Sequence, residues 1–157
     1  ILLFLISVLN CKAQEKPTQF SEAALNDTFI ALDGDATTFK AILESNKGKT
    51  IIVDIWASWC SDCIKGMPKV KKLQENYPDL AYVFLSLDKT QDAWKKGIEK
   101  YGVNGQNYFM QSGWKGPFGE FVKLDWIPRY MIIDQNGNIK LFKAIEADDE
   151  QLIKILK

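Results

Sequence analysis

Two cysteines, Cys60 and Cys63, stand two residues apart in the stretch WASWCSDC, residues 56–63. Such a pair serves as metal ligands, as a structural disulfide or as a redox pair. The chain contains no histidine, and Cys11 is its third and last cysteine. This excludes His-based catalysis, Cys/His zinc sites and His-ligated haem, and two thiols alone do not complete a structural zinc site. We therefore expect no bound metal, although a Cys₂ site completed by carboxylates stays open as an uncommon alternative.

The segment after the cysteines predicts a helix, because apolar residues recur every three to four positions from Ile64 to Tyr77. Cys60 would then lie at the helix N-terminus, where free N–H groups and the helix dipole stabilise a thiolate. The thiolate is the attacking species in disulfide exchange, so we expect Cys60 to be the nucleophile and Cys63 the resolving thiol. A structural disulfide closing so small a loop would stabilise the fold little. The working group is thus predicted to be a redox-active Cys60–Cys63 disulfide, without a separate cofactor.

The apolar run TIIVDIWA at residues 50–57 directly precedes this helix and would position its N-terminus. Such a run is typical of a central strand buried on both faces. Asp54 falls inside that run. A lone buried carboxylate is costly and its pKa should rise, which makes Asp54 a candidate proton acceptor for Cys63 through water. The alternative is that Asp54 points to solvent at the end of the strand.

The remaining pattern predicts the order β-α-β-α-β-α-β-β-α, an α/β fold with a central mixed sheet and helices on both faces. A helix starting at Thr37 or Thr38 precedes the cysteine unit, and Thr90 caps a helix after it. Residues 102–126 are expected to form a long loop with a short helix. A C-terminal antiparallel hairpin follows, and a helix capped by Asp148 ends the chain.

The first residues suggest export. Residues 1–13 contain an apolar run of signal-peptide length, either a cleaved signal or a lipoprotein signal with Cys11 as the lipidated residue. A buried N-terminal helix is the alternative. Residues 14–26 are expected to be a linker, and residues 27–157 a single domain.

Charge narrows the choice of partners. Lysine plus arginine and aspartate plus glutamate number 20 each, so the formal net charge is zero. Nucleic-acid binding would need a basic patch, and none stands out. We expect a monomer that does not bind nucleic acid.

The element order, with CxxC closing the first core strand and opening a helix, resembles the thioredoxin fold, a three-layer sandwich. Asp54 lies six positions before Cys60, Pro68 eight after it, and Pro128 stands in WIPRYMIID. These three residues are similar to the buried aspartate, the helix-kink proline and the cis-proline of thioredoxins. The export pattern, the WASWC form and the IPRYMIID string look most like the TlpA/ResA-like branch of extracytoplasmic thiol-disulfide oxidoreductases, and the resemblance covers residues 27–157. Two features depart from the pattern: Ser-Asp replaces the common Gly-Pro between the cysteines, and many such proteins lack an acid at the position of Asp54.

The resemblance implies that Pro128 is cis and brings Ile127 and the proline ring against the disulfide. In the family, the backbone before this proline pairs with an extended substrate segment. Trp59 and Trp126 would form an apolar rim around Cys60, whereas Trp56 is expected in the core.

Ser61 and Asp62, between the cysteines, should tune the redox pair. The Asp62 charge opposes a nearby thiolate and so favours the disulfide form, which makes the protein a better electron donor. We therefore expect a reductase of disulfide-containing exported proteins in the bacterial periplasm or cell envelope. An unidentified membrane electron donor would reduce its Cys60–Cys63 disulfide after each turnover.

Two alternatives stay open. A peroxiredoxin shares the fold, but it would need a threonine at position 57, where this chain has Ala57. A non-catalytic module could bind Cu(I) through Cys60 and Cys63, although no third soft ligand is evident apart from Met67.

Overall fold

The computed structural model describes residues 16–157, and a seven-stranded mixed sheet lies at its centre. In chain order the strands are Thr28–Ala31 (β1), Ala36–Thr38 (β2), Ile51–Trp56 (β3), Ala81–Ser86 (β4), Gln106–Met110 (β5), Arg129–Ile133 (β6) and Ile139–Ala144 (β7). Across the sheet their order is β2-β1-β5-β4-β3-β6-β7. The helices are Glu22–Leu25 (α1), Phe39–Ser45 (α2), Ser61–Asn76 (α3), Gln91–Tyr101 (α4), Pro117–Phe121 (α5) and Glu150–Leu156 (α6), with a 3₁₀ turn at Gly113–Lys115.

The three central strands of the sheet, β3, β4 and β6, are mostly apolar and are buried on both faces. Every residue of β3, β4 and β6 is buried. β3 pairs in parallel with β4 and antiparallel with β6, so its carboxyl end faces the start of β6. This confirms the prediction of a central strand at residues 50–57 and of an α/β fold built on a mixed sheet, and it brings Cys60 and Pro128 to the same edge.

The helices on either side of β4 begin where the sequence pattern predicts. Cys60 is the N-cap residue of α3, and Pro68 lies inside that helix. Thr90 caps α4 by accepting a hydrogen bond from the Ala93 N–H, and Gly102 ends it with φ of 61°, a left-handed conformation that glycine adopts at little cost.

Two strands differ from the prediction. β2 lies between the first turn and α2, and β5 lies in the segment that we expected to be a loop, residues 102–126. β5 bridges β1 and β4, which joins the outer hairpin to the central sheet. Its burial alternates irregularly, so the sequence lacks the period-two signal of a strand. At the last helix the cap is Asp149 rather than Asp148.

The expected linker, residues 14–26, is partly folded where the structure describes it. α1 lies within it, and the Phe20 ring packs 4.8 Å from that of Phe39 and 6.1 Å from that of Phe118. Burying this aromatic ring against the domain stabilises the segment. The predicted signal at residues 1–13, including Cys11, lies outside the described residues. From residue 16 onward, no helix has the length and apolar character needed to cross a bilayer.

Candidate active site

Cys60 and Cys63 form a disulfide at the start of α3, with their Cα atoms 5.3 Å apart. Cys60 precedes the first helical residue, and the backbone N–H of Cys63 donates to its Sγ over 3.1 Å. Such a donor favours negative charge on that sulfur once the disulfide is reduced. Cys60 is 6% exposed and Cys63 is 1% exposed, so the sulfur expected to attack is also the more accessible one.

The two residues between the cysteines, Ser61 and Asp62, are exposed in the first turn of α3. The Asp62 carboxylate lies 3.7 Å from the Lys65 ammonium, one turn further along. Because Lys65 partly balances the charge of Asp62 and both groups are solvated, the effect on Cys60 is smaller than an isolated aspartate would produce.

The peptide bond between Ile127 and Pro128 is cis, as the resemblance implied. Both residues are buried, and the carbonyl oxygen of Ile127 lies 3.7 Å from Cys60 Sγ. The predicted substrate-binding backbone therefore does lie against the disulfide. Its role in binding stays a prediction.

Trp59 directly precedes Cys60, and Trp126 directly precedes Ile127. The Trp59 side chain is 54% exposed and that of Trp126 is 56% exposed, whereas Trp56 is fully buried in the core. Exposed aromatic rings next to a reactive centre offer apolar contact area to a partner chain. Trp59 and Trp126 are therefore available to a substrate, and Trp56 is not.

Asp54 is buried in the middle of β3, with 2% of its surface exposed, so the alternative that it points to solvent is wrong. Among residues 16–157, neither carboxylate oxygen has a hydrogen-bond partner. Burial raises the pKa of Asp54 to about 8, and the nearby Tyr130 hydroxyl opposes that shift in part. A carboxyl group that titrates near neutral pH can act as a general base.

A second buried carboxylate, Asp88, braces the loop that carries Cys60. It accepts hydrogen bonds from the Ser58 N–H at 3.1 Å, from the Ser58 hydroxyl at 2.6 Å and from the Ser86 hydroxyl at 2.8 Å. Gly97 of α4 packs so closely that an added Cβ would lie 2.5 Å from the Ser58 Cβ. The loop between β3 and α3 is thus fixed from β4 and α4. Sequence reasoning missed this brace, since no local pattern links residues thirty positions apart.

The segment before Pro128 is held by Arg129, whose side chain is fully buried. The guanidinium donates to the carbonyl oxygens of Val122 and Lys123 and to the Asp125 carboxylate. An arginine at the start of the apolar string RYMII was a readable sign of such a role, because a buried charge requires partners. Arg129 therefore fixes the chain that leads to Trp126 and Ile127.

A groove of about 420 Å³ lies beside the disulfide, between α3 and the Pro128 segment. Its lining includes Gly66, Lys69, Trp126, Pro128 and Glu146. The Lys69 ammonium lies 2.8 Å from the Glu146 carboxylate and 3.0 Å from that of Asp148, so the charges on its rim are largely paired. Within the described chain, no group of three or more potential metal-ligating side chains is present.

Known proteins with similar sequences are thioredoxin-like proteins and thiol-disulfide oxidoreductases. The family model described as thioredoxin-like matches residues 48–139. The chain is 27% identical to the thiol-disulfide oxidoreductase ResA of Bacillus cereus over 150 residues, covering 92% of this chain and 81% of ResA. It is 38% identical to the thioredoxin-like protein YneN of Bacillus subtilis over 105 residues, covering 64% of this chain and 59% of YneN.

A solved structure shows the same fold. The thiol-disulfide oxidoreductase of Bacteroides fragilis superposes with a TM-score of 0.71 at 20% identity, covering 86% of this chain and 97% of that one. The CxxC disulfide and the ResA-like relatives make this protein a thiol-disulfide oxidoreductase of the TlpA/ResA-like kind. Since the matching model spans more than half of its residues, the chain belongs to the thioredoxin-like family.

Proposed function

We propose that this thiol-disulfide oxidoreductase works as a reductase of disulfide-containing exported proteins. The observation that carries the proposal is the placement of Cys60 at the N-terminus of α3, beside the Ile127 carbonyl oxygen. An extended substrate segment that pairs with the backbone at residue 127 would bring its own disulfide next to Cys60.

The reaction has two exchange steps. The Cys60 thiolate attacks one sulfur of the substrate disulfide, forms a mixed disulfide and releases the first substrate thiolate. Cys63 then gives its proton to Asp54, through water, and its thiolate attacks Cys60 Sγ. This releases the second substrate thiolate and forms the Cys60–Cys63 disulfide seen in the structure. Two electrons pass from the two enzyme thiols to the substrate.

The negative charge of Asp62, next to Cys63, supports the reductive direction. A strong oxidant needs a strongly stabilised thiolate, so that its reduced form is favoured. Here the Asp62 carboxylate in the first turn of α3 works against a thiolate, while Lys65 and the Cys63 N–H work for it. We expect a potential nearer the thioredoxin value of about −270 mV than the roughly −120 mV of a strong oxidant.

The site of action that we propose is extracytoplasmic, in the periplasm or cell envelope. Two features of the sequence support it: the apolar run within residues 1–13 and the TlpA/ResA-like motifs. An exported reductase needs electrons from across the membrane, so we propose a membrane electron donor as its partner. Lipidation of Cys11 would anchor the domain near that donor.

A trapping experiment tests the proposal. Cys63→Ser removes the resolving thiol, so mixed disulfides with exported substrates should accumulate on Cys60. Cys60→Ser is the matched control and should trap nothing. The wild-type protein should reduce insulin disulfides with dithiothreitol as electron source. If Cys63→Ser traps no protein and the wild type fails to reduce insulin, the reductase function is wrong.

A further inference from the structure

Asp54 has a polar neighbour that the reaction described above does not use. Tyr130 on β6 is the residue directly opposite Asp54 on β3 in the antiparallel register. Side chains opposite each other on adjacent strands share a face of the sheet and lie about 5 Å apart at their Cβ atoms. Tyr130 is 1% exposed, and its hydroxyl lies close enough to Asp54 for each group to shift the pKa of the other.

The far end of the Tyr130 side chain reaches the helix that carries the cysteines. Its hydroxyl oxygen would lie 3.4 Å from a Cβ placed on Gly66, which is an ordinary van der Waals contact. Gly66 follows Cys63 by three residues, so it is one turn below it on α3, and it also lines the groove beside the disulfide. The hydroxyl thus lies between the strand of Asp54 and the helix of Cys63.

Burial, reinforced by the surrounding negative charges, keeps the Tyr130 hydroxyl protonated. Burial raises the pKa of Tyr130 far above its usual range, and the negative charges of Asp54, Glu146 and Asp148 act in the same direction. Lys69, on α3, is a cation on this side, and its ammonium forms ion pairs with Glu146 and Asp148. Because it stays protonated, the Tyr130 hydroxyl is available as a donor, and the two Asp54 oxygens without partners are available as acceptors.

We propose that Tyr130 is a positioning residue for the resolving step: its hydroxyl donates to the ionised Asp54 carboxylate and sets the pH at which Asp54 can accept the Cys63 proton. The inference rests on the proposed role of Asp54 as the base. A buried carboxylate is costly without a hydrogen bond, and a donor that favours the charged form makes that form accessible at lower pH. The proton that leaves Cys63 ends on Asp54, and Tyr130 keeps its own.

Tyr130→Phe tests this inference, because it removes the hydroxyl and keeps the ring. Tyr82→Phe is the matched control: Tyr82 is also buried in the sheet, but its hydroxyl donates to the backbone carbonyls of Leu73 and Tyr77. The Asp54 titration is followed in the oxidised full-length protein by the infrared C=O band of the protonated carboxyl group, assigned by its loss in Asp54→Asn. The oxidised form has no Cys60 or Cys63 thiol that could titrate in parallel.

The midpoint of the Asp54 titration should rise by about one to two pH units in Tyr130→Phe, the size expected for losing a hydrogen bond to a charged group. The acid limb of turnover in the reduced protein should move upward with it, while Tyr82→Phe moves neither. An unchanged or lower midpoint in Tyr130→Phe, or an equal rise in Tyr82→Phe, overturns the inference.

A double variant separates the inference from the function on which it rests. In an Asp54→Asn background, Tyr130→Phe should have no further effect on the pH profile of turnover. A further shift there would overturn the inference, because Tyr130 would then act on another group. If Asp54→Asn alone has the wild-type profile, the base role of Asp54 fails, whatever the infrared midpoint shows about the pairing with Tyr130.

Discussion

The Sγ atom of Cys60 lies 3.7 Å from the carbonyl oxygen of Ile127, although the two residues are 67 positions apart in the chain. The contact exists because β3 and β6 are antiparallel neighbours, so the end of one strand meets the start of the other. A disulfide that approaches Cys60 must therefore also meet the backbone at residue 127. This arrangement joins the attacking sulfur to a surface that can select a substrate.

The first prediction concerns the nucleophile. Alkylation of the reduced protein at mildly acidic pH should label Cys60 well before Cys63, since Cys60 is the more exposed sulfur and accepts the Cys63 N–H bond. Mass spectrometry of the digested protein measures the order of labelling. Cys60→Ser should be labelled slowly at Cys63, and Cys63→Ser rapidly at Cys60. Faster labelling of Cys63 in the wild type would reverse the assigned roles.

The second prediction concerns stability against pH. The folded-state pKa of Asp54 is raised to about 8 from 3.8, so between these values the folded protein keeps a proton that the unfolded chain has lost. The contribution of Asp54 to the free energy of unfolding should therefore be greatest below about pH 4. Between about pH 4 and about pH 8 this contribution should fall by on the order of 1.4 kcal/mol per pH unit. Urea unfolding at several pH values measures this slope.

The variant that tests this slope is Asp54→Asn, which should flatten it and make the protein more stable than the wild type near neutral pH. Asp79→Asn, at an exposed position, serves as the control and should keep the wild-type slope. If Asp54→Asn keeps the slope as well, Asp54 is not the group that binds the proton.

The third prediction concerns the redox potential. Asp62→Asn should make the Cys60–Cys63 couple modestly more oxidising, because it removes a charge that opposes the thiolate. Lys65→Gln should shift the potential in the opposite direction. Equilibration with glutathione buffers measures both, and the shifts should shrink at high salt because both side chains are exposed. Shifts of the same sign in both variants would rule out a charge mechanism.

The fourth prediction concerns the brace beneath the active-site loop. Asp88→Ala leaves the Ser58 N–H and the Ser58 and Ser86 hydroxyls without their acceptor, and it should reduce the free energy of unfolding by about 1–3 kcal/mol. Insulin reduction should slow as well, since the loop leading to Cys60 loses its anchor. Asp79→Ala is the exposed control. Wild-type stability and activity in Asp88→Ala would show that the brace contributes nothing.

Local patterns predicted the elements around the disulfide, and non-local contacts explain what they missed. The apolar run at residues 50–57 and the helical spacing after Cys60 gave β3 and α3, because burial on two faces and a helical face each leave a local trace. The sequence of β5 has no such local pattern, because the burial of this strand depends on its pairing with β1 on one side and β4 on the other.

The residues of the candidate site also fall into two groups: those that the local sequence predicts and those that depend on contacts between distant segments. Cys60, Cys63 and Asp54 could be predicted from types and spacing along one segment. Tyr130 could not, because its place opposite Asp54 depends on the register of two strands that are distant in the chain. Lys65 was readable at three residues from Asp62, a spacing that puts side chains on one helix face.

The contact between Cys60 and Ile127 joins two segments of the chain, and each segment carries a different property of the protein. Asp62 and Lys65, which we propose to set the electron affinity, belong to α3, whereas the backbone at Ile127 and the Trp126 ring, which we propose to contact a substrate, belong to the segment before β6. Exchanging residues 122–128 between related proteins would therefore change which disulfides are attacked and leave the driving force for their reduction nearly constant. Partner choice and electron affinity can then be varied one at a time within the same scaffold.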